Sequence, residues 1–268
     1  MKSFLKKIIR LFLIRVFKLF DIDIDIAIAR KKHKTDFTFV DRNTLESFYH
    51  NDNNMARYKK SLKLSGMEGT DQFLKQCRFY RLQQMLKSTL DKGIIGSVAE
   101  CGCWKGHSTF IIAEILSDYN FEGKFNIFDS FEMGLSDKHQ KDLNTRHKLS
   151  SDDIQNEKKL FSSHEDDLHK VLKPFNFYKL YKGWIPEKFN EVKDEEFIFV
   201  HLDVDLYQPT LDSLEFFYPR LKKGGVILLD DYGYTQFPGA KKCVDEFLSR
   251  NKCELFFSGS TGGCFILK

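Results

Sequence analysis

Four apolar runs in this chain each end on a carboxylate, and that pattern narrows the fold more than any other feature. They are Ser97-Val-Ala-Glu100, Lys124–Asp129 (KFNIFD), Glu196–Asp203 (EFIFVHLD) and Gly225–Asp230 (GVILLD). A run that is apolar at nearly every position suits a strand covered on both faces. Helical patterns fall between these runs. Thr109–Leu116 is one, and Pro209–Leu221 is another, opened by proline at its first turn. Gly239–Ser249 follows, and Ser162-Ser-His-Glu165 reads as a capping box opening a helix through Leu172. Phe177–Tyr181 adds a strand, and Glu254–Phe257 with Cys264–Leu267 closes the chain as a hairpin. The expected fold is α/β: a mostly parallel seven-stranded sheet with an antiparallel edge hairpin and helices on both faces.

In such sheets a ligand sits at the carboxyl ends of the strands, near the switch in strand order. The first strand-to-helix turn there is Glu100-Cys-Gly-Cys-Trp-Lys-Gly106. Gly102 and Gly106 can bring bare backbone close to a ligand at a helix N-terminus, which suits a nucleotide or nucleoside. Asp129, at the end of the next strand, can accept hydrogen bonds from both hydroxyls of a ribose. The dinucleotide form G-x-G-x-x-G is absent, which argues against a nicotinamide-dependent oxidoreductase. Later strands end in Asp203 with Asp205, and in Asp230 with Asp231. Asp203, Asp230 and Asp231 converging at one place would repel unless a cation joined them. Hard oxygen donors imply Mg²⁺ or a similar ion, able to hold two adjacent hydroxyls and lower the pKa of one. His201 shares a strand face with Asp203; a core histidine is the plainer reading than a base.

Further residues carry a resemblance. They are Val98–Ser108, Asp129-Ser-Phe-Glu132, Leu202-Asp-Val-Asp-Leu-Tyr207 with Thr210, Leu214, Tyr218-Pro-Arg-Leu221, Gly224-Gly-Val226, Asp230-Asp-Tyr232 and Ala240 with Val244-Asp-Glu-Phe247. Together they resemble the macrocin and mycinamicin sugar O-methyltransferases, the TylF-like family. The resemblance covers residues 95–268 and departs from the family pattern at Met133. It implies a class I, Rossmann-like methyltransferase fold, S-adenosylmethionine and Mg²⁺ as cofactors, and a sugar hydroxyl as acceptor. Carried over by position, it implies metal ligation by Asp203, Asp230 and Asp231. It also implies that Glu100, Gly102, Gly106, Ser108 and Asp129 line the cofactor site, with Ser130 and Trp184 nearby. Asp203 is placed to assist deprotonation. A catechol-type O-methyltransferase would use a similar set of acids, and a non-catalytic membrane-associated scaffold would have no use for them.

Residues 1–20, MKSFLKKIIRLFLIRVFKLF, form a basic amphipathic pattern with Leu5, Ile8, Ile9, Phe12, Val16 and Leu19 on one arc. Its longest uncharged stretch is far short of a membrane span. It suits peripheral contact with an anionic membrane, or packing on the domain or on a second copy of the chain in a homo-oligomer. The expected layout is a leader over 1–35, a helical lid or extension over 36–94 and the catalytic domain over 95–268, with a polar insert at 136–163. Asp21–Ile26 alternates as a strand would, residues 36–70 read as polar and irregular, and Thr44–Tyr58 reads as helical. Tyr49 and Tyr58 are lid contacts in this layout, and Asp71–Leu90 is a firm helix. The formal net charge of +4 gives no reason to expect nucleic acid. Six cysteines without a C-x-x-C pair read as reduced thiols of a cytoplasmic protein. The insert and leader suggest a lipid-linked or cell-surface glycan at the inner membrane face as the acceptor.

Overall fold

The computed structural model describes residues 24–31, 34–41, 52–143, 156, 158–259 and 261–268. The leader at 1–20 and Tyr49 lie outside them. The chain divides into two compact units, Met1–Arg81 and Leu82–Lys268.

In the first unit, β1 (Ile24–Lys31) and β2 (Lys34–Asp41) form an antiparallel hairpin with Ile24 opposite Asp41. The second strand lies where the sequence suggests irregular structure, because its alternating Phe37-Thr-Phe-Val40 is short and its neighbours are polar. Helix α1 (Asp52–Leu64) covers residues 52–58 of the expected Thr44–Tyr58 helix, whose first part lies outside the described residues. Tyr58, expected as a lid contact, is a core residue of this unit. It is buried, its hydroxyl donates to Asp71 Oδ1 at 2.8 Å, and its ring meets that of Phe79 edge-on at 5.6 Å. Helix α2 (Phe73–Leu90) follows.

The second unit is built on a sheet of seven strands. They are β3 (Ser97–Cys101), β4 (Phe125–Asp129), β5 (Tyr178–Lys182), β6 (Phe197–Leu202), β7 (Leu221–Leu229), β8 (Leu255–Ser258) and β9 (Cys264–Leu267). Their order is β5-β4-β3-β6-β7-β9-β8. The pairs from β5 to β7 are parallel, while β9 runs antiparallel to both β7 and β8. The chain builds outward from β3 in one direction, then crosses back to β6 and builds outward in the other. The switch point therefore lies between β3 and β6, where Glu100 is the register partner of His201.

Helices α3 (His107–Asp118), α4 (Glu165–Val171), α5 (Tyr207–Arg220) and α6 (Pro238–Arg250) connect the strands. Every residue of β3 and β6 is buried, as the near-continuous apolar run of β6 predicts. Aromatic rings fill one side of the sheet. Phe128 stacks on Tyr181 at 4.7 Å, and Phe217 meets Phe189 and Phe197 edge-on, both at 4.9 Å. Each such pair adds about 0.5–1.5 kcal/mol beyond its buried area.

Two helix starts differ from expectation. Helix α5 begins at Tyr207, with Pro209 as its third residue, where a missing N–H still costs no intrahelical bond. Its last residue is Arg220, and Leu221 already belongs to β7. Helix α4 has His164 as its N-cap and no side-chain cap, so the Ser162–Glu165 capping box does not form. The Ser162 hydroxyl donates to the Lys159 carbonyl at 3.1 Å instead. Glu165, Asp166 and Asp167 in the first turn suit the positive end of the helix dipole.

Candidate active site

The turn after β3 is shaped by Asp129. Its Oδ2 accepts the backbone N–H groups of Cys103 at 2.7 Å and Trp104 at 2.8 Å, and its Oδ1 accepts that of Phe131 at 2.6 Å. Burial pushes the Asp129 carboxyl above its ordinary pKa, against the pull of these three bonds. Asp129 thus holds two adjacent loops together at the strand ends. Its backbone carbonyl accepts the Gly183 N–H at 2.9 Å, which places Trp184 just beyond the end of β5 with 37% of its surface exposed. The Ser130 hydroxyl donates to the Gly134 carbonyl at 2.6 Å, and Ser108 is buried in the first turn of α3.

The two loop glycines are required by the protein itself. Gly102 has φ +83, and a Cβ there would lie 1.9 Å from the Asp203 carbonyl oxygen. Gly106 has φ +78 at the N-cap of α3, where a Cβ would lie 2.7 Å from Leu168 Cδ1. Both positions need left-handed backbone, and at Gly102 the Asp203 backbone leaves no room for a side chain. Cys101 and Cys103, on either side of Gly102, are buried, and burial raises both thiols well above the ordinary range. They are protonated, inert packing groups.

The acids at the ends of β6 and β7 gather as expected, but in a different grouping. Ligand atoms of Asp203, Asp205 and Asp231 lie within 4.8 Å of one another, and so do those of His201, Asp203 and Asp230. The expected triad of Asp203, Asp230 and Asp231 is thus divided between two overlapping sets that share Asp203. Asp205, Asp230 and Asp231 are buried, whereas Asp203 is partly exposed. Backbone bonds set these positions: the Asp203 N–H donates to the Cys101 carbonyl and the Asp230 N–H to the Leu202 carbonyl, both at 2.9 Å. The Asp205 N–H donates to Asp231 Oδ2 at 2.9 Å.

Glu100 lies within β3 with 0% exposure, and its Oε1 pairs with His201 Nδ1 at 2.9 Å. His201 Nε2 lies 3.5 Å from Asp230 Oδ2. Burial favours the neutral ring, but Asp230 and Glu100 outweigh it and hold the His201 pKa at about 10. His201 and Asp205 therefore belong to the acid cluster, although sequence reasoning favoured other residues. For Asp205 the signal was its D-x-D spacing from Asp203. For His201 it was the shared strand face.

The first part of the polar insert is tied to the same end of the sheet. Asp142 Oδ1 accepts the Tyr207 N–H at 2.8 Å, a cap that Leu206 at the N-cap position cannot supply. Lys141 Nζ reaches the Tyr207 hydroxyl at 2.8 Å and Glu246 Oε2 at 2.6 Å. Among the described residues, no helix is long and apolar enough to cross a membrane.

The strand order, with its switch beside a glycine turn and its antiparallel edge, is that of the class I methyltransferase fold. Solved structures with this fold include the O-methyltransferase NovP, with TM-score 0.56 and 20% identity over 70% of this chain and 78% of that one. The calicheamicin methyltransferase CalS11 gives TM-score 0.55 and 17% identity over 89% of this chain and 99% of that one. The family model of the macrocin O-methyltransferases (TylF) matches residues 24–255, and the chain belongs to that family. It is an S-adenosylmethionine-dependent O-methyltransferase. The mycinamicin III 3''-O-methyltransferase of Micromonospora griseorubida is 26% identical over 187 residues, which are 65% of this chain and 68% of that one. The demethyldecarbamoylnovobiocin O-methyltransferase of Streptomyces niveus is 20% identical over 213 residues, 76% of this chain and 78% of that one.

Proposed function

We propose that the chain transfers a methyl group from S-adenosylmethionine to a hydroxyl of a sugar in a Mg²⁺-dependent reaction. The observation that carries this reading is the position of Asp203. It is the partly exposed member of both carboxylate sets, and its backbone packs directly against Gly102 of the loop that would seat the methyl donor. The donor set suits a hard divalent cation, because oxygens from three acids lie within 4.8 Å of one another. Those three acids are Asp203, Asp205 and Asp231, and Asp230 shares the second set with Asp203; these four are the residues that would hold it. When bound, such an ion orients adjacent hydroxyls and makes one more acidic. Asp203 then accepts the hydroxyl proton as the acceptor oxygen forms its bond to the methyl carbon and the carbon–sulfur bond breaks.

Gly102, Gly106, Ser108 and Asp129 shape the donor site, with Ser130 and Trp184 at its border and Glu100 buried behind the loop. Family membership, and the rhamnosyl group in the name of a Streptomyces olivaceus relative 27% identical over 58% of this chain, support a sugar acceptor. The acceptor is read as part of a surface glycan or glycoconjugate. The enzyme is read as cytoplasmic, held at the inner membrane face by the basic amphipathic pattern of residues 1–20. Labelled methyl transfer to a panel of sugar acceptors tests the reaction. Transfer should require a divalent cation and stop with EDTA; undiminished transfer in EDTA would remove the metal role. Deleting residues 1–20 should move the protein from the membrane fraction to the soluble one, and an unchanged partition would remove the membrane reading.

A further inference from the structure

Glu100 and His201 stand on β3 and β6, and Asp230 directly follows the last residue of the adjacent β7; 0%, 0% and 2% of their surfaces are exposed. Glu100 and His201 are register partners, and His201 is paired with Leu228, two residues before Asp230. Residues two apart on a strand share a face, so the topology places all three side chains in one row across the switch point. Glu100 Oε1 holds His201 Nδ1 at 2.9 Å. Nε2 is buried, has no hydrogen bond, and has Asp230 Oδ2 at 3.5 Å.

A fully buried ring cannot touch an acceptor, so His201 is not the base. Nor does stability explain the row, since well-packed apolar residues commonly replace a buried ionic chain at no loss. What the row does is fix a ring in one orientation and aim its second nitrogen at one carboxylate of the acid cluster.

We infer that His201 is a positioning residue: Glu100 locks its ring through Nδ1, and Nε2 holds Asp230 in the orientation that ligates the cation. This rests on the reading of Asp230 as a metal ligand given under Proposed function. Carboxylate ligands are commonly fixed by such outer partners, and losing one typically costs 10–100-fold in metal affinity.

The test is titration of the full-length protein with Mn²⁺ alone, read by electron paramagnetic resonance, beside calorimetry with S-adenosylhomocysteine. His201→Asn keeps a nitrogen near the Nδ1 position and loses the one facing Asp230. It should weaken Mn²⁺ binding by about 10–100-fold and leave S-adenosylhomocysteine affinity within about threefold. His201→Gln places an amide N–H near the Nε2 position and should recover most of the Mn²⁺ affinity, and the wild-type Mn²⁺ signal should show no ring-nitrogen coupling, which a directly ligating ring would give. If His201→Asn fails to fold, the Glu100→Gln/His201→Leu double variant, with no stranded Glu100 carboxylate, should show the same Mn²⁺ loss. Wild-type Mn²⁺ affinity in His201→Asn, an equal loss in His201→Gln, or a parallel loss of S-adenosylhomocysteine would overturn the inference. A wild-type protein that binds S-adenosylhomocysteine but no Mn²⁺ would overturn the metal reading, and this inference with it.

Discussion

The carbonyl oxygen of Asp203 occupies the space that a side chain on Gly102 would need, 1.9 Å from the position of a Cβ. The loop after β3 and the acid after β6 are therefore built against each other, and neither can shift alone. Gly102→Ala must both adopt φ +83 and displace the strand end carrying Asp203. Overpacking and left-handed strain together should cost roughly 2–4 kcal/mol. Urea unfolding checks the stability, and S-adenosylhomocysteine calorimetry should show weaker binding as well.

Asp129→Ala removes the acceptor of three backbone N–H groups, those of Cys103, Trp104 and Phe131. Each loop then loses its tie at the strand ends. S-adenosylhomocysteine binding should weaken by about 1.5–3 kcal/mol, the scale of a lost hydrogen bond to a charged group. Unchanged calorimetric affinity would show that the loop holds its shape without this acid.

Asp142→Ala removes the cap that the insert supplies to the Tyr207 N–H at the start of α5. The expected destabilisation is about 1 kcal/mol. The insert should also become more sensitive to limited proteolysis, because Asp142, beside Lys141, ties it to the start of that helix.

Glu195 ties the opposite ends of the strands together. Its carboxylate accepts from Ser97 at 2.7 Å, Asn126 at 2.9 Å and Lys124 at 2.8 Å. Burial alone would raise its pKa, but the bonds from Lys124, Ser97 and Asn126 outweigh burial and lower it. A depressed carboxyl pKa contributes stability above the unfolded-state value near 4.3, and loses it as pH falls through the folded-state value. Glu195→Gln should therefore destabilise the protein by about 1–2 kcal/mol at pH 7, with the difference shrinking below pH 4. Thermal unfolding of both proteins across that range measures it.

The buried strands were the legible part of the sequence. Phe197–Leu202 is apolar at nearly every position because both faces are covered, whereas a strand with one wet face would alternate. β2 was not legible, since its alternation is short and its neighbours are polar. The capping box at Ser162 failed because a four-residue pattern says nothing of the Lys159 carbonyl that takes its hydroxyl. At the site, the acids could be picked out because each ends a strand, but their grouping could not. It depends on register and on backbone bonds such as Asp205 N–H to Asp231, which link residues from different strands. His201 was ambiguous for the same reason, because its role depends on Glu100, 101 positions away in sequence.

The proposed function divides the labour in this site: the loop after β3 would seat the methyl donor, and the acids after β6 and β7 would carry the reaction. Asp203→Asn separates the two most directly, with S-adenosylhomocysteine affinity measured by calorimetry and turnover measured by labelled methyl transfer on the same preparation. The predicted result is a turnover loss of about 10²–10⁴-fold, with S-adenosylhomocysteine affinity within about threefold of wild type. Turnover near the wild-type rate, or a loss of S-adenosylhomocysteine binding as large as the loss of turnover, would contradict it.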